Sequence, residues 1–220
     1  MKKVILATAI ALCTTSAFAG ETAVLKIKGT LTNAACSADM SNGGVIDYGR
    51  IALGSLKSDA NNVLGTKQLP ITITCTAPTK VAFSILDDRA DSNAQLPVDV
   101  DANKNMTQKV YTYGVGLTAG NVKIGNYGLW LSNATADGVA VNSIGQNSDW
   151  AADNWSIGYI PRSDAFSRNA FATKGSSDPL AVTTATFNVN TNLVIRDTTA
   201  LAITDDTQLD GQVTMTLVYL

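Results

Sequence analysis

The segment from Glu21 to Cys36 alternates apolar and polar side chains, and it comes directly after a secretory signal. In an extended strand, one face would carry apolar or small residues and the other mainly threonine and lysine. Chain ends are normally frayed unless other structure binds them. We therefore expect this segment to need a partner sheet, in its own chain or in another. The face that would be buried consists of Ala23, Leu25, Ile27, Gly29 and Leu31.

Residues 1–19 have the organisation of a signal peptide. Lys2 and Lys3 form a charged start, residues 4–12 an apolar core, and Ala17 to Ala19 a small-x-small cleavage site. The alternative of a lipid anchor on Cys13 is disfavoured, because a bulky leucine precedes it where a small residue is needed. The apolar run is short for a membrane span, and no later segment is long and apolar enough. We therefore expect an exported protein.

Composition points to an all-β domain. Threonine, valine, asparagine, glycine and alanine dominate, and no long stretch repeats with the helical period. Short apolar runs are instead separated by clusters of glycine, asparagine, aspartate and serine, which is typical of a sandwich or barrel. The formal net charge is −2, and it becomes about −4 when the two signal-peptide lysines are removed. Nothing in this balance favours nucleic acid or an anionic membrane as a partner.

Two cysteines remain after the signal, Cys36 and Cys75. In an exported chain, an even pair favours a disulfide. A redox or metal pair would instead need a C-x-x-C spacing or further soft ligands, and the sequence has neither. The closed loop of about 40 residues would stabilise the fold by roughly 3–4 kcal/mol.

Alternating or short apolar runs predict a series of strands. The segment between two of these runs, Ala77-Pro78-Thr79, predicts a tight hairpin-like link. Residues 147–179 are polar and broken by prolines, and they predict a loop-rich insertion with one strand near 155–160. The remaining predicted strands cover residues 45–51, 69–75, 80–86, 96–100, 110–117, 127–132, 139–143, 185–189, 193–195 and 212–220.

The candidate chemical sites are weak. The chain has no histidine, which excludes Ser-His-Asp and Cys-His catalysis and the usual histidine metal sites. Asp87, Asp88 and Asp91 could form a carboxylate pair with a helper, but a solvated turn explains them better. The D-x-D-x-N-x-N run from Asp99 to Asn105 resembles a calcium loop, yet it lacks the glycine and the glutamate of an EF-hand. We predict no enzymatic activity, no catalytic residue, no metal and no cofactor.

The C-terminal segment is a second amphipathic strand. Its predicted inner face carries Val213, Met215, Leu217 and Tyr219, alternating with mostly polar residues. Open amphipathic strands at both ends would promote aggregation of a soluble monomer. A protein that polymerises by strand exchange, in contrast, needs one strand to give and one groove to receive it.

Taken together, these features make the sequence resemble the chaperone–usher fimbrial (pilin) subunits of Gram-negative bacteria. The resemblance is carried by the signal peptide, the segment AVLKIKGTLTNAAC, the cysteine pair, the segment VIDYGRI and the penultimate Tyr219. The segments LPITITCTAPTKVAFSILDDRADS and YGVGLTAGNVKIGNYGL look like a fimbrial-like branch often left as a domain of unknown function. The resemblance to the fimbrial subunits is strongest over residues 20–90 and 209–220.

The resemblance implies an incomplete immunoglobulin-like (pilin-type) β-sandwich over residues 34–220, completed by donor-strand complementation. Residues 20–33 would be the donor extension, in which Ala23, Leu25, Ile27 and Leu31 fill pockets and Gly29 allows a close backbone approach. The C-terminal strand would border the acceptor groove and bind the chaperone.

The implied function is that of a structural subunit of a fimbria, supporting cell adhesion. Its partners would be a periplasmic chaperone, an outer-membrane usher and neighbouring subunits, and it would pass through the periplasm to the cell surface. Two alternatives stay open. One is a carbohydrate-binding tip or adhesin-type subunit, in which tryptophans such as Trp150 and Trp155 would stack on a host glycan. The other is a self-contained periplasmic binding module, in which the insertion at 147–179 would complete the fold internally.

Overall fold

The computed structural model describes residues 26–27, 35–149 and 154–220. The chain divides into two units, Met1–Asn33 and Ala34–Leu220. Of the first unit, the structure describes only Lys26 and Ile27, whose side chains are exposed. The predicted signal peptide lies outside the described residues, and so do four of the five predicted donor side chains, Ala23, Leu25, Gly29 and Leu31.

The second unit confirms the all-β prediction. In the part of the chain that the structure describes, eleven strands accompany one short helix, α1 (Thr198–Leu201). The strands are β1 (Cys36–Met40), β2 (Asn62–Asp87), β3 (Val98–Val100), β4 (Asn103–Met106), β5 (Thr112–Gly114), β6 (Gly125–Ala136), β7 (Val139–Asn147), β8 (Ser156–Ile157), β9 (Ser167–Thr173), β10 (Ala181–Ile195) and β11 (Val213–Tyr219).

The long strand β2 lies at the centre of the fold. Over residues 71–75 it pairs antiparallel with β1 on one edge and, through residues 62–74, with β10 on the other. Over residues 81–87 it pairs antiparallel with β11, and Phe83 pairs with β9. β2 therefore has a neighbour on each edge over residues 71–74 and at Phe83, and it pairs directly with four other strands.

The remaining pairings join nine strands into one sheet. Its order is β5-β6-β10-β2-β9-β7-β8, with β1 and β11 attached to β2 and a further pairing between β6 and β7. Strands β3 and β4 form a separate hairpin. The sheet folds back on itself at β2. As a result, β1 and β10, which flank the first part of β2, face β11 and β9, which flank its second part.

The main core fills the space between these facing strands. Phe83 of β2 stacks on Phe187 of β10 with the ring centroids 5.2 Å apart, and Phe171 of β9 packs against both rings. All three side chains are buried. Aromatic packing of this kind adds to the large apolar area that each ring removes from water. The alternating apolar residues of the two segments of β2 supply much of the rest of this core, as their pattern predicted.

The predicted disulfide between Cys36 and Cys75 is confirmed. The two residues lie directly opposite each other in the β1–β2 register. Cys75 is buried and Cys36 packs against the same core. Because β1 pairs with β2 alone among the described residues, the disulfide fixes covalently a strand that has only one ladder of hydrogen bonds.

Two local predictions are wrong. Ala77-Pro78-Thr79 is not a hairpin link, since β2 continues through it without a break. The proline is tolerated because the β10 ladder is interrupted there, between Thr79 and Thr74 of β2, so that no hydrogen bond needs its missing N–H. Residues 45–51 form no strand, although Val45 is extended, because none of their backbone groups joins a ladder among the described residues.

The insertion at 147–179 contains a strand that the sequence did not predict. β9 pairs with β7 from Ser167 to Thr173 and is mostly buried. The predicted strand at 155–160 is reduced to the two residues of β8. The insertion therefore fills a position between β2 and β7, on the edge of β2 opposite to β11. No helix among the described residues is long and apolar enough to cross a membrane.

Replacing both cysteines by serine should lower the free energy of unfolding by roughly 3–4 kcal/mol, because the loop between them gains freedom in the unfolded chain. Urea denaturation of the purified protein measures this change. The matched control is Ser37→Ala, an exposed neighbour in β1, which should change stability by less than about 0.5 kcal/mol. Equal stability of the double variant and the control would contradict the prediction.

Candidate functional site

A large groove, of about 1550 Å³, opens on one side of the second unit. It lies between residues 40–56, which follow β1, and residues 203–215, which lead into β11. Among the described residues, β1 and β11 each pair with β2 alone, so their outer edges are unpaired. The floor consists of apolar side chains of the core, including Leu69, Ile71, Ile85, Leu129, Val189 and Leu193.

Side chains, rather than a backbone ladder, attach the first border to the sheet. The Tyr48 hydroxyl lies 3.0 Å from Thr191 Oγ1 and 3.3 Å from the Gly65 carbonyl oxygen. Lys67 donates to the Asp47 carbonyl oxygen at 2.7 Å, and its ammonium lies 5.3 Å from the centroid of the Tyr48 ring. Burial raises the pKa of the Tyr48 hydroxyl, and the hydrogen bond with Thr191 opposes that rise. Residues 45–51 are therefore held beside the sheet by side chains, while their backbone joins no ladder among the described residues.

The second border is the last strand, β11. Its Val213, Met215 and Leu217 side chains are half-buried against the core, whereas Thr214 and Thr216 are exposed. Val213 and Met215 line the groove. The inner face of β11 is thus only partly covered, and its free edge presents a row of backbone donors and acceptors.

Two polar contacts link the two sides of the molecule that border the groove. The Cys36 N–H of β1 donates to the Tyr219 hydroxyl of β11 at 2.8 Å. Arg50 of the first border forms an ion pair with Asp206, in the segment before β11, at 3.1 Å. The side chains of this pair are 93% and 87% exposed, so it contributes little to stability.

Polar contacts also fix the point where β11 begins. Arg89 binds the Asp210 carboxylate through two nitrogens, at 2.8 and 3.2 Å. The buried Asp87 carboxylate accepts hydrogen bonds from the backbone N–H of Gly114 and of Arg89. Burial raises the pKa of Asp87, and these two hydrogen bonds oppose the rise. Asp87 has a structural role here, which the solvated-turn interpretation did not predict.

Only some of the predicted site residues line the groove. Val213 and Met215 line the groove, and Leu217 packs against the core beside it. Tyr219 is 53% exposed and does not line the groove; its hydroxyl accepts a hydrogen bond from the Cys36 N–H. Of the predicted donor residues only Ile27 is described, and its side chain is 91% exposed.

Several groove residues were missed by sequence reasoning. Met40 and Tyr48 belong to the first border, and Ile203 and Leu209 to the segment before β11. The segment VIDYGRI was recognised as notable, but a single tyrosine in it gave no sign that its hydroxyl anchors the border. Ile203 and Leu209 are separated by polar residues and follow neither strand nor helix periodicity.

The weaker chemical candidates have structural partners. Asp99 forms an ion pair with Lys104 and accepts from the Asn105 N–H, within the β3–β4 hairpin. Among the described residues, no three side chains of the metal-binding types are grouped to hold an ion.

The predicted sugar-stacking alternative needs a tryptophan ring with an open face. Trp155 is buried, and Trp130 packs, partly buried, against the cluster of Leu96, Val98 and Val100.

Comparison with known proteins shows what the chain is similar to. A family model described as a protein of unknown function (DUF1120) matches residues 25–128. Protein GltF of Escherichia coli (strain K12) is 27% identical over 228 residues, which cover 89% of this chain and 87% of that protein. The uncharacterized protein YhcF of the same organism is 26% identical over 230 residues, or 93% of each chain. None of these descriptions names a fimbrial role, so the resemblance to pilins stays a prediction.

Tyr48→Phe should loosen the first border of the groove. Loss of the hydroxyl contacts should lower the free energy of unfolding by about 1 kcal/mol, and amide hydrogen exchange of residues 45–51 should become faster. The matched control is Tyr111→Phe, since the Tyr111 hydroxyl has no hydrogen-bond partner within the described part of the chain. Unchanged exchange of residues 45–51 in the Tyr48 variant would show that the hydroxyl does not hold this segment.

Proposed function

We propose that this protein is a structural subunit of a chaperone–usher fimbria, and that it polymerises by donor-strand exchange. The observation that carries the proposal is the apolar groove between two unpaired edges, one of them the last strand, β11. A groove of this kind matches the physical requirements of strand addition, in which backbone hydrogen bonds provide affinity and alternate side chains fill pockets.

The N-terminal segment has the composition that such a groove requires. Its apolar face carries Ala23, Leu25, Ile27 and Leu31, with Gly29 in phase. At about 3.3 Å per residue, the nine residues from Ala23 to Leu31 reach close to 30 Å. The seven residues of β11 are shorter than this, so the segment is long enough to follow β11 along its whole length. The exposed Ile27 side chain is available to another subunit.

In this interpretation the domain is an immunoglobulin-like sandwich without its final strand. A strand inserted beside β11 would cover the half-buried Val213, Met215 and Leu217 and would pair with the free edge. The first border, residues 45–51, would gain a backbone partner on the other side of the inserted strand. A periplasmic chaperone would supply such a strand first, and the extension of the next subunit would replace it at the usher.

The alternatives receive less support. The insertion at 147–179 contributes β9 between β2 and β7, and none of its described residues lines the groove, which disfavours the alternative that it completes the fold internally. Trp155 is buried and Trp130 is partly buried against neighbouring side chains, while Trp150 lies outside the described residues, so no described tryptophan supports a sugar-stacking platform. Export through the periplasm to the cell surface is part of the proposal.

Ile27→Asp should abolish polymerisation while leaving the complex with the chaperone intact. A carboxylate would have to enter an apolar pocket, at a cost of several kcal/mol. Polymers are measured by electron microscopy and by their resistance to dissociation in denaturant, and the chaperone complex by co-purification.

The matched control is Thr30→Asn, which changes the opposite face of the same segment and should polymerise normally. Fibres of normal stability from the Ile27 variant would rule out this segment as the donor.

Fusing a second copy of residues 21–33 behind Leu220, through a short flexible linker, should raise the melting temperature of the mature protein. Several apolar side chains would become buried, each stabilising the fold by about 1.5–3 kcal/mol when burial is complete. A short linker adds little entropic cost. Thermal unfolding followed by circular dichroism gives the comparison.

The control is the same fusion with aspartate at the positions of Leu25 and Ile27 in the added copy. If the melting temperature is the same with and without the added strand, the domain is already complete. That result would favour a self-contained periplasmic binding module.

A further inference from the structure

The charges around the groove are mostly negative. The charged side chains that line it are Asp47, Arg50, Asp205 and Asp206, and all four are exposed. Residues 197–220, which include β11, contain four aspartates and neither lysine nor arginine. A strand that enters this groove therefore meets a negative rim above an apolar floor.

Two cations already lie at this rim. Arg50, from the first border, pairs with Asp206 of the second, and the Lys67 ammonium donates to the Asp47 carbonyl oxygen at 2.7 Å. Asp47 and Asp205 have no ion-pair partner within the part of the chain that the structure describes. The rim thus accepts cations from within the chain, and the carboxylates of Asp47 and Asp205, which make only hydrogen bonds, are left to pair with cations of an incoming strand.

The N-terminal segment carries the complementary charge on the correct face. Lys26 and Lys28 alternate with the apolar residues, so both point away from the face that would be buried. Both lie near the middle of the segment, so they would stand near the middle of the groove whichever way the strand runs. With the apolar face on the groove floor, the two ammonium groups would stand at its mouth, at the level of the aspartates.

We propose that the groove selects a positively charged strand, and that Lys26 and Lys28 of a second copy of this chain are the cations selected by its acidic rim. This inference rests on the proposed function. The apolar floor provides affinity for any strand with the correct alternation, whereas the rim discriminates among such strands by charge. Complementary charges mainly raise association rates and reject partners of the wrong sign. Assembly should therefore be faster with this chain's own segment than with a neutral or acidic one, and faster at low ionic strength.

The test measures association of fluorescein-labelled peptides of residues 21–33 with the purified mature protein by stopped-flow anisotropy. The peptides are the native sequence, Lys26→Gln with Lys28→Gln, Lys26→Glu with Lys28→Glu, and Leu25→Asp with Ile27→Asp. At 20 mM salt the glutamate peptide should associate about tenfold more slowly than the native peptide, with the glutamine peptide between them. At 500 mM salt the three rates should agree within about twofold.

A charge-reversed protein supplies the matched control. Asp205→Lys with Asp206→Lys changes only exposed side chains, so the fold should be unaffected. In this variant the glutamate peptide should associate faster than the native peptide at low salt.

The outcomes separate the inference from the function on which it rests. If the native, glutamine and glutamate peptides associate equally fast at low salt and only the aspartate peptide fails, the groove accepts strands regardless of charge. The inference is then wrong and the proposed function stands. If the native peptide fails to bind under any condition, both are wrong.

Discussion

Backbone hydrogen bonding along β2 determines where the other strands can lie. A strand has two edges, and β2 has both in use over residues 71–74, by β1 and β10, and at Phe83, by β11 and β9. At these positions β2 can accept no further neighbour, whereas residues 62–70 pair with β10 alone among the described residues. Met40 at the end of β1 and Val213 and Met215 of β11 line the same groove, and this geometry, more than any single side chain, is what supports the proposal of strand addition.

The sequence predicted the parts of the fold in which one face of a strand is buried and the other exposed. Leu69 to Cys75, Lys80 to Leu86 and the last strand alternate clearly, and the structure has strands at all three. β9 was missed because its residues are buried on both faces, which removes the alternation. The link at Pro78 was misjudged because proline normally ends a strand, whereas here it falls at a gap in the ladder.

The candidate site was predicted in part for a similar reason. Val213 and Met215 could be identified from alternation alone, but the opposite border could not, because residues 45–51 have no ladder and their position depends on Tyr48 reaching Thr191 from 143 positions away. Long-range side-chain contacts of this kind leave no local pattern. The two relatives align with most of this chain. The family model, in contrast, matches only residues 25–128 and ends before β11.

The cysteine bridge has a mechanical consequence. Cys36 lies just after the N-terminal unit, so a pull along that unit enters the domain at this residue. The covalent bond transfers the load directly to Cys75 in β2, and β1 cannot peel away from its neighbour one hydrogen bond at a time. The strand that receives this load, β2, is itself paired with β10 and β11 along antiparallel ladders.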